Sequence, residues 1–224
     1  MQRYVHDPLL IVHYKFDVRW WCLVTSTQPL RAYILPDGYA KIASSAPYDI
    51  RDVSSKCGHV TNNMVQKHCG HKHHHRHSLN IESSVRDPEF ERRIFPIKTE
   101  DLFQGAQKIM EKVLLASAWR LETKRQTTST SSKMFQLLAI DVIYERQDAK
   151  AVLLEINTNG YLRSGILKIP NGRDRLKELF RMTGFVGYDQ AVVDHIRSSV
   201  QDETEIAVRL EDWYRGSWMP LFNA

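Results

Sequence analysis

No apolar run in this 224-residue chain approaches the roughly 18–20 residues that a membrane span needs. No basic-then-apolar leader opens it either. A membrane partner is therefore not expected. Cysteine is scarce: Cys22, Cys57 and Cys69 form no regular framework, and their odd number suits a reducing compartment, so a cytoplasmic protein is expected. The chain holds no aromatic-basic RNA motif and no recognisable DNA-reading motif, which removes nucleic acid from the expected partners. No Ser/His/Asp or Cys/His pattern for covalent catalysis is visible, and no internal repeat.

What is present is an ordinary globular composition, 42% apolar and 25% charged, enough for a sizeable core. Lys and Arg number 31 against 26 Asp and Glu, a net charge of +5 that favours an acidic partner. The first residues, MQRYVHDPLLIVHYKFDV, already read as folded interior, which predicts that the natural protein extends upstream of Met1.

Aromatic and β-branched residues predict a strand over 17–25, DVRWWCLVT, and a second over 30–36. Asp37-Gly38 is a hairpin-turn signal, with a third strand expected over 39–44. Residues 45–97 are polar and read as irregular. They include HCGHKHHHRH, 68–77, whose dense, unpatterned histidines predict a solvated loop that binds metal only incidentally. Residues 99–124 have helical spacing, with Leu102, Ile109, Val113, Leu114 and Trp119 near one face, Thr99 as N-cap and acids in the first turn. FQLLAIDVIYE, 135–145, and AVLLEIN, 151–157, predict an antiparallel hairpin across RQDAK. The tail, 172–214, reads as amphipathic helices.

The hairpin carries the chemistry. Side chains alternate along a strand, so Glu155 and Asn157 share a face. Pairing across the 146–149 turn puts Asp141 close to opposite Glu155. Three oxygen-bearing side chains then converge, a set that suits Mg²⁺ and through it nucleotide phosphates. A lone acid at a strand edge would simply face solvent.

These strands resemble the end of the ATP-grasp core in the tubulin–tyrosine-ligase-like enzymes, where an Asp and a Glu-x-Asn hold magnesium under ATP. Three further motifs follow the same order: QRYVHDPLL at 2–10, KFDVRWWCLVTSTQPLRAYI at 15–34, and HVTNN…QK at 59–67. The resemblance implies an α+β ATP-grasp C-terminal subdomain, mainly antiparallel sheet flanked by helices, with the first half of the core absent. It implies a core over 1–162 and a helical extension over 163–224. Asp141, Glu155 and Asn157 become the expected metal ligands, and ATP and Mg²⁺ the expected cofactors. Gln2, Arg3, Tyr4 and Val5 become the hinge that receives adenine, largely through backbone. Lys15 and Asp17 would contact the nucleotide, and Thr61 and Asn62 its phosphate side. Arg19 would hold an acyl phosphate or a substrate carboxylate with its planar fork.

Lys67 stands where the family has a lysine on the substrate side. Lys41 stands where the family usually has an Arg that grips the amino-acid substrate; it keeps the charge and loses the bidentate fork. Asn63 resembles the glycine-adding members, whereas PLRAYI resembles the glutamate- and tyrosine-adding ones. The resemblance thus implies a ligase that joins a free amino acid to an acidic protein tail, most often tubulin, of the polyglutamylase type and as a monomer on microtubules. Glycylase or tyrosine-ligase activity is one alternative. A non-catalytic microtubule- or acidic-tail-binding homologue is another, and three converging oxygen ligands argue against it.

Overall fold

The computed structural model describes residues 2–43, 45–69, 76–80, 98–127, 134–158, 160, 165–169 and 171–222. Its centre is an antiparallel sheet in the order β4-β3-β2-β5-β6, with β1 on β2 and β7 on β3. The strands are β1 (Leu10–Ile11), β2 (Tyr14–Thr27), β3 (Leu30–Ile42), β4 (Arg76–Asn80), β5 (Gln136–Tyr144), β6 (Ala151–Asn157) and β7 (Met219–Pro220). The helices are α1 (Lys56–His59), α2 (Asn63–His68), α3 (Thr99–Thr127), α4 (Gly172–Met182), α5 (Gln190–Arg197) and α6 (Glu203–Tyr214). The protein is therefore α+β, a mainly antiparallel sheet flanked by helices.

Period-two alternation in β2 sorts the core into two layers. Phe16, Val18, Trp20 and Cys22 face one way and pack with Leu102, Phe103, Ala106, Met110 and Leu114 of α3. Trp21 and Leu23 face the other way and pack with Leu179 and Met182 of α4 and with Trp218. On that second face the strand begins with Lys15, Asp17 and Arg19. Its apolar half lies beneath α4, and its first half is charged on this face. A third cluster, Ile196, Val200, Ile206 and Leu210, joins α5 to α6. Both of these helices start on a capping acid: Asp189 accepts from Ala191 N and Asp202 from Glu205 N, each at 2.8 Å.

Four sequence expectations change. Asp37-Gly38 is not a hairpin turn, because β3 runs through it. The register passes from Arg19↔Tyr39 to Trp21↔Leu35, so Pro36, Asp37 and Gly38 bulge opposite Trp20. Glycine is required there by a close approach: a Cβ at 38 would lie 2.7 Å from the Trp20 ring. Within 45–97, α1 and α2 replace irregular chain, and β4 pairs with β3 from Asp37↔Asn80 to Lys41↔Arg76. On α3 the buried stripe is Leu102, Phe103, Ala106, Met110 and Leu114, while Trp119 is exposed. Lastly, Cys57 and Cys69 form a disulfide with a Cα–Cα separation of 5.9 Å, which overturns the expectation of unpaired thiols. α1 and α2 fold back on each other, a proximity that sequence spacing does not announce. Cys22 remains a free, buried thiol whose pKa burial pushes up. Residues 70–75 of the histidine-rich segment, and the side chains of 76 and 77, lie outside what is described.

Candidate active site

β2, β3, β5 and β6 each contribute to one charged cluster at the open end of the second face. Register places the groups: Asp17 pairs with Lys41 across β2 and β3, Arg19 with Asp141 across β2 and β5, and Asp141 with Glu155 across β5 and β6. Asn157 pairs with Ala139 on the same ladder. The β5–β6 register shifts by one residue beside Asp141, between Asp141 and Val142. Such bulges re-aim side chains at the rims of sheets.

Asp141 is gripped by two cations. Arg19 donates from Nε to Oδ1 and from Nη2 to Oδ2, both at 2.7 Å, the bidentate geometry that favours Arg over Lys. Lys41 Nζ reaches Asp141 Oδ2 at 2.9 Å. The same Nζ lies 2.6 Å from Asp17 Oδ1, a charge contact rather than an aligned hydrogen bond. Thr61 Oγ1 donates to the other Asp17 oxygen. Both Asp17 and Asp141 are buried.

Burial pushes the Asp17 carboxyl above its usual range, and the neighbouring Asp141 charge adds to that against the pull of Lys41. Burial also works to raise Asp141, but the Arg19 hydrogen bonds and the Lys41 charge outweigh it and hold its carboxyl below the usual range. Burial works to lower Lys41, and the two carboxylates outweigh it, so its ammonium stays charged.

Glu155 lies at the exposed margin, its side chain 60% accessible, with Oε1 3.9 Å from Arg19 Nη2. Asn157 Nδ2 donates to that same Glu155 oxygen at 3.0 Å. The donor chemistry of Asp141, Glu155 and Asn157 is all oxygen and fits a hard divalent cation. Among the described residues no group of three His, Cys, Asp or Glu is close enough to hold a metal, so the amide of Asn157 would be needed to complete the set.

The residues expected at the adenine hinge reach β2 through Lys15, two positions before Asp17. Gln2 Nε2 donates to Leu153 O at 2.8 Å, fastening the start of the chain to β6. Arg3, Tyr4 and Val5 line a cavity of about 290 Å³ with Glu145, Gln147 and Val152. Lys15 Nζ donates to Tyr4 Oη at 3.1 Å and lies 4.5 Å from the Tyr4 ring centroid, a cation–π contact.

Thr61 and Asn62 diverge. Thr61 reaches into the cluster, whereas Asn62 Oδ1 caps α2 by accepting from Met64 N at 2.8 Å. Lys67 lies on the exposed side of α2. The structure thus brings together Asp17, Arg19, Lys41, Thr61, Asp141, Glu155 and Asn157. It sets Asn62 and Lys67 apart as an exposed helix cap and an exposed helix residue.

Sequence reasoning missed three supporting groups. His59 contacts Tyr4 Oη through Nδ1 at 2.5 Å, and Tyr48 donates to His6 O at 2.8 Å. Gln66 is buried and donates to Cys57 O and Val60 O at 3.0 and 2.6 Å, which clasps the segment that carries Thr61. Only His59 and Gln66 stood inside a quoted motif, and the side-chain partners gave no local signal.

The Tubulin-tyrosine ligase family profile matches residues 1–164. Tubulin glycylase 3D of Tetrahymena thermophila is 26% identical over 159 residues, which cover 71% of this chain and 15% of that protein. Human tubulin monoglycylase TTLL3 is 29% identical over 168 residues, 71% of this chain and 20% of that protein. Human tubulin polyglutamylase TTLL5 is 27% identical over 203 residues, 85% of this chain and 15% of that protein. The chain therefore spans a fifth or less of the length of these three relatives. With a family match over residues 1–164, most of its length, the chain belongs to the tubulin-tyrosine ligase family.

Proposed function

We propose that this chain carries the metal-binding wall of an ATP-dependent carboxylate–amine ligase that adds a free amino acid to the acidic tail of tubulin. The observation that carries the reading is the register that sets Asp141 opposite Glu155 beside Arg19, with Lys41 between Asp17 and Asp141. Asp141, Glu155 and Asn157 would hold magnesium, and Lys15, Asp17 and Thr61 would line the nucleotide. When bound, magnesium would offset charge on the transferring phosphoryl group.

The chain's own residues do the rest. Arg19 offers a planar fork to the anionic carboxyl group under attack. Lys41 keeps two buried carboxylates from repelling each other. The hinge cavity takes the nucleotide base against Tyr4 and Val5. No side-chain nucleophile is needed, because the amine of the free amino acid attacks the activated carboxyl. The net charge of +5 suits an acidic tail, and microtubules in the cytoplasm are the corresponding location.

Glutamate is the proposed amino acid, since PLRAYI, 29–34, resembles the glutamate- and tyrosine-adding members. Glycine is the second reading, favoured by Asn63 directly after the Thr61-Asn62 pair. Incubation with tubulin, Mg-ATP and either labelled glutamate or labelled glycine decides between them. Incorporation of glutamate in excess is expected. Incorporation of glycine alone selects the second reading. Microtubule binding with no incorporation of any amino acid makes the protein a binding module and overturns the ligase.

A further inference from the structure

Arg19 stands where a cation shared by Asp141 and Glu155 would have to sit. Its Nη2 is 2.7 Å from Asp141 Oδ2 and 3.9 Å from Glu155 Oε1, so one guanidinium nitrogen faces both proposed metal ligands. Its Nε takes the second Asp141 oxygen. Lys41, from β3, reaches the same Asp141 Oδ2 and lies between Asp141 and Asp17. The charges of Asp17, Asp141, Lys41 and Arg19 therefore cancel within the cluster, and only Glu155 adds a net negative charge at its exposed edge.

A divalent ion bound by Asp141 and Glu155 would need Asp141 oxygens that Arg19 holds, and would stand in contact with a like charge. Both cations cannot keep that place. Lys41 is the less able to leave, because it also neutralises Asp17 in the buried part of the cluster.

We infer that Arg19 is a built-in counter-cation that closes the divalent-ion site, and that ion binding and release of Arg19 from Asp141 are a single exchange. The inference rests on the reading of Asp141, Glu155 and Asn157 as metal ligands. The exchange orders events in the cleft. While Arg19 grips Asp141, its planar fork is committed to a carboxylate of the protein itself. Once the ion takes Asp141, the same fork turns to an anionic group of the substrate. The anion grip is then present only when the ion is in place.

The test is binding of Mn²⁺ without nucleotide, read as loss of the free-ion EPR signal, for the wild type, Arg19→Met, Arg19→Lys and Glu155→Gln. Removing the competing charge in Arg19→Met should tighten Mn²⁺ binding by about tenfold, the scale of one charge-assisted contact. Arg19→Lys, which keeps the charge without the fork, should fall between Arg19→Met and the wild type. Glu155→Gln should weaken binding. Unchanged or weaker binding in Arg19→Met, with binding still dependent on Glu155, overturns the exchange and leaves the metal ligands standing. Equal binding by the wild type and Glu155→Gln overturns the metal ligands, and the exchange with them. A second measurement needs no variant: the Arg19 Nε–H resonance of the wild type, titrated with Mg²⁺. A shift that saturates with ion binding is expected, and a resonance unmoved at saturation overturns the exchange.

Discussion

Asp141 and Glu211 are both buried carboxylates gripped by an arginine on the same face of the sheet, near opposite ends of β2. Glu211 accepts from Thr25 Oγ1 at 3.0 Å, from Arg31 Nε and Nη2 at 3.1 Å each, and from Tyr33 Oη at 2.8 Å. Its donors come from β2 and β3, and they tie α6 to the sheet beside the apolar layer under α4. Asp141 is held by two cations, one of them shared with Asp17, and opens onto the accessible carboxylate of Glu155. Similar ion-pair chemistry therefore serves two ends. Where hydroxyls and an arginine from two strands surround an acid on a helix, the cluster joins elements together. Where cations outnumber other donors and an exposed acid stands next to them, the cluster can trade partners. Burial and an arginine do not distinguish a structural pair from a functional one; the neighbour left at the margin does.

The contrast can be broken most severely at Glu211. Glu211→Ala leaves the partly covered Arg31 and the buried Tyr33 hydroxyl without their acceptor and removes the link between α6 and the sheet. It should cost about 3–5 kcal/mol of stability, the range for breaking a buried pair from one side. Thermal unfolding measures it, and a loss below about 1 kcal/mol, as for an exposed pair, would remove the structural role.

At the open end the largest effect should fall on chemistry. Glu155→Gln keeps the shape at an exposed position, so stability should stay within about 0.5 kcal/mol of the wild type. Turnover in labelled amino-acid incorporation should drop on the order of a hundredfold, the scale of one strong electrostatic contact in a transition state. Microtubule co-sedimentation should be retained. A folded variant with undiminished turnover would make Glu155 a solvent-facing edge acid.

The smallest effect is a pH dependence that sharpens the comparison within the open cluster. The Asp141 carboxyl is held below its usual range, so its ionised form adds stability above the unfolded value of about 3.9, and that stability is lost as pH falls through the folded value. Asp17 has the opposite sign, since burial raises it and its protonation on acidification relieves a cost. The stability gap between the wild type and Asp141→Asn should therefore be widest near neutrality and close below about pH 4. A gap that stayed constant with pH would mean that the Arg19 and Lys41 pairs do not favour the charged form.

How far the sequence reached depended on the distance over which each contact forms. The 135–157 hairpin and its Asp141–Glu155 register were legible because the turn is local and strand alternation fixes the faces. The strong helical pattern of 99–124 was legible for the same reason, apart from Trp119, whose spacing fits the stripe but whose ring stays in solvent. The Arg19–Asp141 pair joins residues 122 apart in sequence, and no periodicity reports which strands become neighbours. Cys57 and Cys69 were misread because their pairing depends on how two short helices fold back. Asp37-Gly38 was misread because its turn chemistry is spent on a bulge inside a longer strand. Asp37 there accepts from the buried Arg175 Nε at 2.8 Å, a partner from a helix far along the chain.

That bulge bears on which mutations the protein can absorb. Trp20 lies against the bare backbone of Gly38, and its Nε1 donates to Tyr144 Oη at 3.0 Å. Tyr144 in turn donates to the carbonyl of Leu102, in the first turn of α3, at 2.8 Å. A methyl group at position 38 would press on the indole and, through it, on the hydroxyl that anchors the helix. A single-nucleotide change in the glycine codon can specify only residues larger than glycine, so every missense change at that codon carries the same collision. In genetic terms position 38 has an alphabet of one letter, and its phenotype would surface on the side of the sheet away from the charged cluster.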